Sequence, residues 1–447
     1  MEQNDRIFDV VVIGAGGSGL TAALAASEFG SRVLVVETTR ATGGHTSMTQ
    51  GMFPAAHAGV QIEKGLNISA EDVYRDIMRS NGNDANSELV MQLCRYSGQA
   101  VDWLVSYVGQ QMIPVTEFRY YGFSVSSIVS PASRTGLELT NSLRRKAEDD
   151  GNIIIADSRS ATLTWDGETG DIAAEVAGSH EKIYGKKYIV AAGGFGANRT
   201  LVSKYIPGAQ NLMYFGSSQH DGTAVRIASN IGLKLDYMDS YQAHSSVSVT
   251  GNLLSWESVL KGSIIVNTSG KRFAEEKIGY SEFAAKLASQ NGGFGYEIIP
   301  DSIYREMVSL YQEFTSAEKQ GGIKRINSVS EVSDLIGCDP SAIKESLFSL
   351  IGRHDGSDPG DFPEGIFPLH VAKIYPALFH TLGGIATDKY FRAVHEDGQI
   401  SHRIYAVGDS AAGISGYGPG GYLSGSGLLM AIVGGYIAGR HAVGKLK

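Results

Sequence analysis

The tightest constraint on the fold lies in residues 7–37. Phe8–Ile13 is a largely β-branched apolar run, and Gly14-Ala15-Gly16-Gly17-Ser18-Gly19 follows it directly. Leu20–Phe29 is rich in alanine and ends at Gly30, and Arg32–Val36 is a second apolar run closed by Glu37. A continuous apolar run reads as a parallel strand buried on both faces. Strand, glycine turn, helix and strand together predict a βαβ unit. In such a unit Gly14 makes the tight turn, Gly16 lets the backbone approach a pyrophosphate, and Gly19 lets helix pack on strand. The helix N-terminus, with Ser18 in its first turn, offers amide donors and a favourable dipole to phosphate. Glu37 lies 37 − 14 = 23 residues on, where a ribose-binding acid belongs, with Thr38 beside it.

Later stations choose between dinucleotides. Gly43-Gly44 follows Glu37 closely, Ala191-Ala192-Gly193-Gly194-Phe195-Gly196 comes much later, and Tyr405-Ala406-Val407-Gly408-Asp409 lies near the C-terminus. Three glycine-rich stations fit extended FAD better than NAD. Asp409 is expected to bond ribitol hydroxyls. The backbone around Ser424, Gly427 and Leu428 is expected to face the flavin pyrimidine ring. The 56 glycines in 447 residues cluster at these stations.

The sheet draws strands from both ends of the chain, with further strands expected at Tyr188–Ala192 and Ile404–Val407. Residues 239–361 have a different texture, with helical patterns at Tyr280–Gln290, Ile303–Phe314 and Ser341–Leu350 between polar loops. The expected plan is α/β: a Rossmann-like FAD-binding domain over 1–238 and 362–447, with a capping domain at 239–361. A formal charge of −9 argues against general nucleic-acid binding, which wants a basic footprint. Two distant cysteines, Cys94 and Cys338, make neither a disulfide framework nor a CxxC metal site. Eleven histidines show no HExxH spacing, so no metal is expected. The acidic N-terminus running straight into a strand does not read as a signal peptide. Residues 410–439 carry no charge, but their glycines and Pro419 read as buried core rather than a membrane span. A cytoplasmic location is the expectation.

Taken with His220-Asp221-Gly222, Asn267-Thr268-Ser269-Gly270-Lys271-Arg272-Phe273 and His380-Thr381-Leu382-Gly383-Gly384, these stations resemble the fumarate reductase/succinate dehydrogenase flavoprotein superfamily. The resemblance covers nearly the whole chain. It implies an FAD domain of the glutathione-reductase type, an inserted α+β capping domain, and Asp221 among the cofactor residues. Two positions depart from fumarate reduction. The arginine that delivers the proton in those enzymes corresponds to Tyr280, and the arginine that clamps a substrate carboxylate corresponds to Tyr422. A tyrosine cannot make arginine's bidentate pair with a carboxylate.

The tyrosines resemble those of 3-ketosteroid Δ1-dehydrogenases instead. Tyr280 stands at their catalytic tyrosine. Tyr417-Gly418-Pro419-Gly420-Gly421 looks like the segment whose tyrosine hydroxyl and last glycine amide hold the substrate carbonyl. Tyr120-Tyr121 resembles the pair that assists the base. His380 matches a residue that contacts substrate in carboxylate-binding members, and Arg134 lies in a loop where it could meet a carboxylate. These features fit a small cyclic keto acid and an enzyme resembling 4-oxocyclohexanecarboxylate dehydrogenase. Gly44-His45-Thr46-Ser47-Met48-Thr49-Gln50-Gly51 looks like the segment of succinate dehydrogenase whose histidine bonds to the flavin, which leaves covalent attachment and non-covalent contact through His45 both open.

The expected chemistry is desaturation of a ketone at its α,β carbons, an FAD-dependent oxidation of a CH–CH group. Tyr417 and Gly421 would polarise the carbonyl, Tyr280 with Tyr120 or Tyr121 would take the α proton, and the β hydride would pass to flavin N5. An external acceptor, such as O2, a quinone or an electron-transfer protein, would reoxidise the flavin. The alternatives are an enone or enoate reductase, a 3-ketosteroid dehydrogenase, and a flavin-binding module without turnover.

Overall fold

The computed structural model describes residues 7–37, 43–157, 161–166, 171–176, 182–348, 350 and 364–446. Thr38, assigned above to the cofactor, lies outside them. Internal packing divides the chain into two units. The first is Met1–Gln210, Gly216–Gln242 and His380–Lys447; the second is Asn211–Phe215 and Ala243–Phe379. The expected boundary at 361/362 lies outside the described residues, and the second unit begins at Ala243 rather than 239 and also takes in Leu369–Phe379.

The first unit is built on strand β1 (Ile7–Ile13), helix α1 (Gly17–Ser27) and strand β2 (Val33–Glu37). Across the sheet the order is Arg392–Val394, Ile400–Ala406, Lys182–Val190, β1, β2, Ile153–Asp157. Along this order all neighbours are parallel except the edge pair Arg392–Val394 with Ile400–Ala406, and Ala161–Asp166 and Asp171–Val176 branch from Lys182–Val190 as antiparallel strands. Val12 of β1 pairs with Val35 on one side and Ile189 on the other, and Val10, Val11 and Val12 are fully buried. The apolar run therefore has helices or chain on both faces, as a parallel sheet requires.

Glycine sets two close approaches. Gly14 sits at φ 105°, and a β-carbon on Gly19 would lie 1.9 Å from its carbonyl oxygen. The C-terminal helix Gly434–Ala442 meets α1 through Gly439, where a β-carbon would fall 2.3 Å from the Ala22 carbonyl. Every residue of α1 is buried. Residues 410–439 form short turns and helices, buried apart from the segment around Tyr417–Tyr422, and no helix among the described residues is long and apolar enough to cross a membrane.

The second unit has its own sheet. The long strand Leu369–Thr381 is its centre, and Gly295–Pro300 and Ile323–Ile326 pair with it antiparallel. Ile264–Val266 extends the sheet from Gly295–Pro300, and Tyr241–Ser248 also joins the central strand. Leu254, Trp256, Phe283, Leu287 and Phe314 form one apolar core against it. The helical pattern read over Ile303–Phe314 is two helices, Asp301–Leu310 and Gln312–Lys319. They break at Tyr311, whose backbone is extended (φ −130°, ψ 113°) and whose hydroxyl bonds the Glu257 carboxylate at 2.5 Å.

Candidate active site

The glycine turn presents a phosphate cradle. Gly16 caps α1 with extended backbone and no side-chain hydrogen bond to the helix amides. Glu37, at the end of β2, accepts the Ala15 amide at 2.5 Å, which fixes the carboxylate beside the turn. Thr46 packs against Gly17, where a β-carbon would come within 2.4 Å of its hydroxyl. Gly44 approaches Gly16, with 3.6 Å from the position of its β-carbon to the Gly16 Cα. Gly51 packs on Pro131 with φ 70°, so its contacts are with the chain itself. Ser18, buried, lies against Gly408. Beyond Gly408 a cavity is lined by Leu382, Asp409, Ser426, Gly427 and Met430. Ala192 and Gly193 lead out of the strand Lys182–Val190, and the Gly193 carbonyl accepts the Ser410 hydroxyl at 3.1 Å. An uncapped helix N-terminus and a fixed carboxylate at the end of β2 fit the pyrophosphate and ribose of FAD.

Asp409 is the centre of this region. It follows the strand Ile400–Ala406 in a tight turn, Gly408–Ser410. Its Oδ1 receives His380 Nδ1 at 3.0 Å and its Oδ2 receives His45 Nδ1 at 3.2 Å. His220 Nδ1 stands 3.7 Å from Oδ2. Burial alone would raise the Asp409 carboxyl; the charge and hydrogen bond of His380 and the hydrogen bond of His45 outweigh it and hold the carboxyl well below the usual carboxylate range. Burial pushes His45 and His220 down, so both rings are neutral around pH 7. His45 Nε2 accepts the Ser217 amide at 2.8 Å, so both its nitrogens are engaged. The His45 and His220 rings meet edge-on at 3.8 Å.

Here the structure redraws one assignment. Asp221, expected at the cofactor, is exposed and bonds the start of its own helix, accepting the Thr223 amide at 3.0 Å and pairing with Arg226 at 3.1 Å. Its neighbour His220 faces the cluster, with its ring against Gly193 and Nδ1 accepting the Gly194 amide at 3.4 Å. The sequence carried a signal for this: Asp two residues before a helical Thr, with Gly222 between, is a capping pattern.

On the other side of His380, Tyr422 meets its ring edge-on at 5.7 Å. A β-carbon on Gly427 would lie 3.3 Å from His380 Nε2. His380, Tyr422, Gly427 and Asp409 are thus neighbours. Leu428 is buried next to Gly427, and Ser424 is half-buried. The tyrosine pair separates: Tyr120 is buried, its hydroxyl 3.2 Å from Gln50 Oε1, and Tyr121 is exposed. Tyr417 is 56% exposed, its hydroxyl donates to Asp236 at 3.4 Å, and its ring meets Tyr237. The charge of Asp236 pushes the Tyr417 phenol up. Gly421 packs tightly on the Ser415 carbonyl. Arg134, at φ 56°, spends its guanidinium on Glu117 at 2.8 Å. Tyr280 belongs to the second unit and heads the helix Tyr280–Ala288, with its ring beside His244 and Trp256.

Comparison with known proteins agrees with this geometry. Residues 9–428 match the FAD binding domain family. A probable fumarate reductase of Shewanella frigidimarina is 27% identical over 97% of this chain and 74% of its own. Among solved structures, the open conformation of a flavocytochrome c3 fumarate reductase superposes with a TM-score of 0.78 at 24% identity, over 98% of this chain and 78% of the other. The 3-ketosteroid Δ1-dehydrogenase of Sterolibacterium denitrificans gives the same TM-score at 18% identity, over 98% and 99%. The chain belongs to the FAD binding domain family, within the fumarate reductase/succinate dehydrogenase flavoprotein superfamily. It is an FAD-dependent oxidoreductase acting on carbon–carbon bonds.

Proposed function

We propose that the protein desaturates a small cyclic ketone at its α,β carbons, with a keto acid such as 4-oxocyclohexanecarboxylate as the substrate class. The observation that carries the reading is the pair of tyrosines, Tyr280 and Tyr422, at the two arginine positions of fumarate reduction. Tyr280 is the first residue of its helix, where the dipole favours an anion such as a phenolate. As base it would take the α proton, with Tyr120, the buried member of the pair, assisting in preference to the exposed Tyr121. FAD, when bound, supplies the acceptor for the β hydride. Tyr417 and Gly421 would polarise the ketone oxygen. In that role the Tyr417 hydroxyl must leave Asp236 for the substrate, so Tyr417→Phe is expected to slow turnover by ~10². His380, with Nδ1 beside Asp409, would contact the substrate carboxylate; Tyr422 would pack beside it and Arg134 would be a second carboxylate contact. An external acceptor, such as O2, a quinone or an electron-transfer protein, would take up the electrons.

The names of the relatives favour a second reading, the reverse reaction on an activated double bond: besides fumarate reductases they include a urocanate reductase of Eggerthella lenta. The steroid enzyme keeps a bare 3-ketosteroid open as substrate. Anaerobic bleaching of the flavin decides among these. The keto acid is expected to bleach wild-type enzyme and to leave Tyr280→Phe yellow. Bleaching by a 3-ketosteroid alone keeps the base and discards the carboxylate contacts. Reoxidation of dithionite-reduced flavin by an enone or enoate, with bleaching by neither ketone, would establish a reductase. His45 has a separate test. Its Nε2 already holds the Ser217 amide, which supports non-covalent contact; FAD is then released by acid precipitation, whereas a covalent bond leaves the pellet yellow.

A further inference from the structure

His244 lies on Tyr241–Ser248, a strand buried at every residue. Its ring stacks on Tyr280 with centroids 4.7 Å apart and planes 25° from parallel. Trp256 meets it edge-on at 5.8 Å, and Phe379 flanks it at 5.8 Å. Nδ1 accepts the Ser246 amide at 3.2 Å, so in the neutral ring the proton sits on Nε2. Burial pushes its pKa down to about 3, so the ring is an uncharged plate near neutral pH. One residue upstream, the Ala243 amide donates to Ser281 Oγ at 3.1 Å. Two adjacent pairs, Ala243–His244 and Tyr280–Ser281, therefore clasp the strand to the start of the helix. Gly279, just before Tyr280, turns the chain into the helix with φ 91°.

We propose that His244 is the positioning residue of Tyr280: its face, fixed by the Ser246 amide, sets the plane of the phenol and the direction of its hydroxyl. This rests on the reading of Tyr280 as base. A base displaced by about 1 Å can lose ~10² in rate.

The test uses holoenzyme of wild type, His244→Ala, His244→Phe and Tyr280→Phe, reduced by 4-oxocyclohexanecarboxylate in its protio and α-deuterio forms. His244→Ala is expected to lower the rate of flavin reduction ~10–10²-fold at nearly unchanged KM and to raise the deuterium isotope effect. His244→Phe, which keeps a flat face, is expected to recover most of that loss. A second readout needs no substrate: in protein with labelled tyrosine, the ring resonance that Tyr280→Phe removes should narrow in His244→Ala as the ring gains freedom. Wild-type rate, isotope effect and linewidth in His244→Ala would discard the role of His244 while an inactive Tyr280→Phe keeps the base. Full rate in Tyr280→Phe sinks the base reading itself, and the linewidth alone then decides whether His244 holds the ring. If His244→Ala does not fold, His244→Phe decides: a rate as low as that of Tyr280→Phe overturns a role based on the flat face.

Discussion

The two units bury ionisable groups in opposite ways. In the first, Asp409 is surrounded by three imidazoles and stays ionised. In the second, Glu297 is fully buried on the strand Gly295–Pro300 and accepts the Ser258 hydroxyl. Burial, opposed by the Ser258 and Ser246 hydroxyls, raises its pKa to about 7. His244 in the same unit is likewise forced neutral. A buried charge persists only where donors hold it; elsewhere the group gives up its charge. The first pattern marks a site built to hold a charge. The second makes the stability of its unit depend on pH.

The largest expected effect comes from removing the held charge. Asp409→Asn replaces the carboxylate that accepts from His45 and His380 by a neutral amide and should cost about 1.5–3 kcal/mol of stability, the range for hydrogen bonds to a charged group. FAD retention should fall as well, read as released flavin fluorescence. In wild type the Asp409 contribution is present above the ordinary aspartate pKa and is lost as pH falls through its lower folded value. Undiminished FAD affinity in Asp409→Asn would reduce the cluster to packing.

Glu297 should behave in the reverse sense. Its folded pKa lies above its unfolded one, so its contribution is full below pH 4.5 and is lost as pH rises through about 7. Glu297→Gln keeps the shape and cannot ionise. It should leave stability unchanged near pH 4 and raise it by about 3 kcal/mol at pH 8. Hydrogen exchange of the amides in Gly295–Pro300 reads this locally. Equal protection of mutant and wild type at pH 8 would mean that the fold does not raise the Glu297 pKa, and the contrast between the units would fail.

What sequence made legible follows the same division. The βαβ unit could be read because its requirements are local: Gly14 needs its φ, Gly19 needs to lack a β-carbon, and Glu37 needs only its distance along β2. The glycine stations led to Asp409 for the same reason. His220 was hidden because Asp221 and His220 differ only in which way a helix start turns them. Tyr120 and Tyr121 were indistinguishable because burial decides between them and burial is a tertiary property. His244 gave no signal at all, as one residue in a strand buried throughout. Tyr311 shows tertiary contact overriding pattern, since a hydrogen bond to a residue 54 positions away breaks a helix that periodicity had predicted.

Arg134 should give the smallest effect. Its side chain is 25% exposed and that of Glu117 is 59%, and such an ion pair is worth about 0–1 kcal/mol. Arg134→Gln should therefore leave stability within that range. Its effect on KM separates two sources of carboxylate recognition. If Arg134 is held by Glu117 throughout, KM for 4-oxocyclohexanecarboxylate is unchanged in Arg134→Gln and rises at least ~10-fold, about 1.4 kcal/mol, in His380→Asn, because His380 alone carries the anion. If Arg134 leaves Glu117 for the substrate, Arg134→Gln raises KM for the keto acid but not for a ketone without a carboxylate, and Glu117→Gln lowers it by freeing the guanidinium. The Glu117 variant makes the outcome decisive, since a pair serving only the surface has no way to improve binding when half of it is removed.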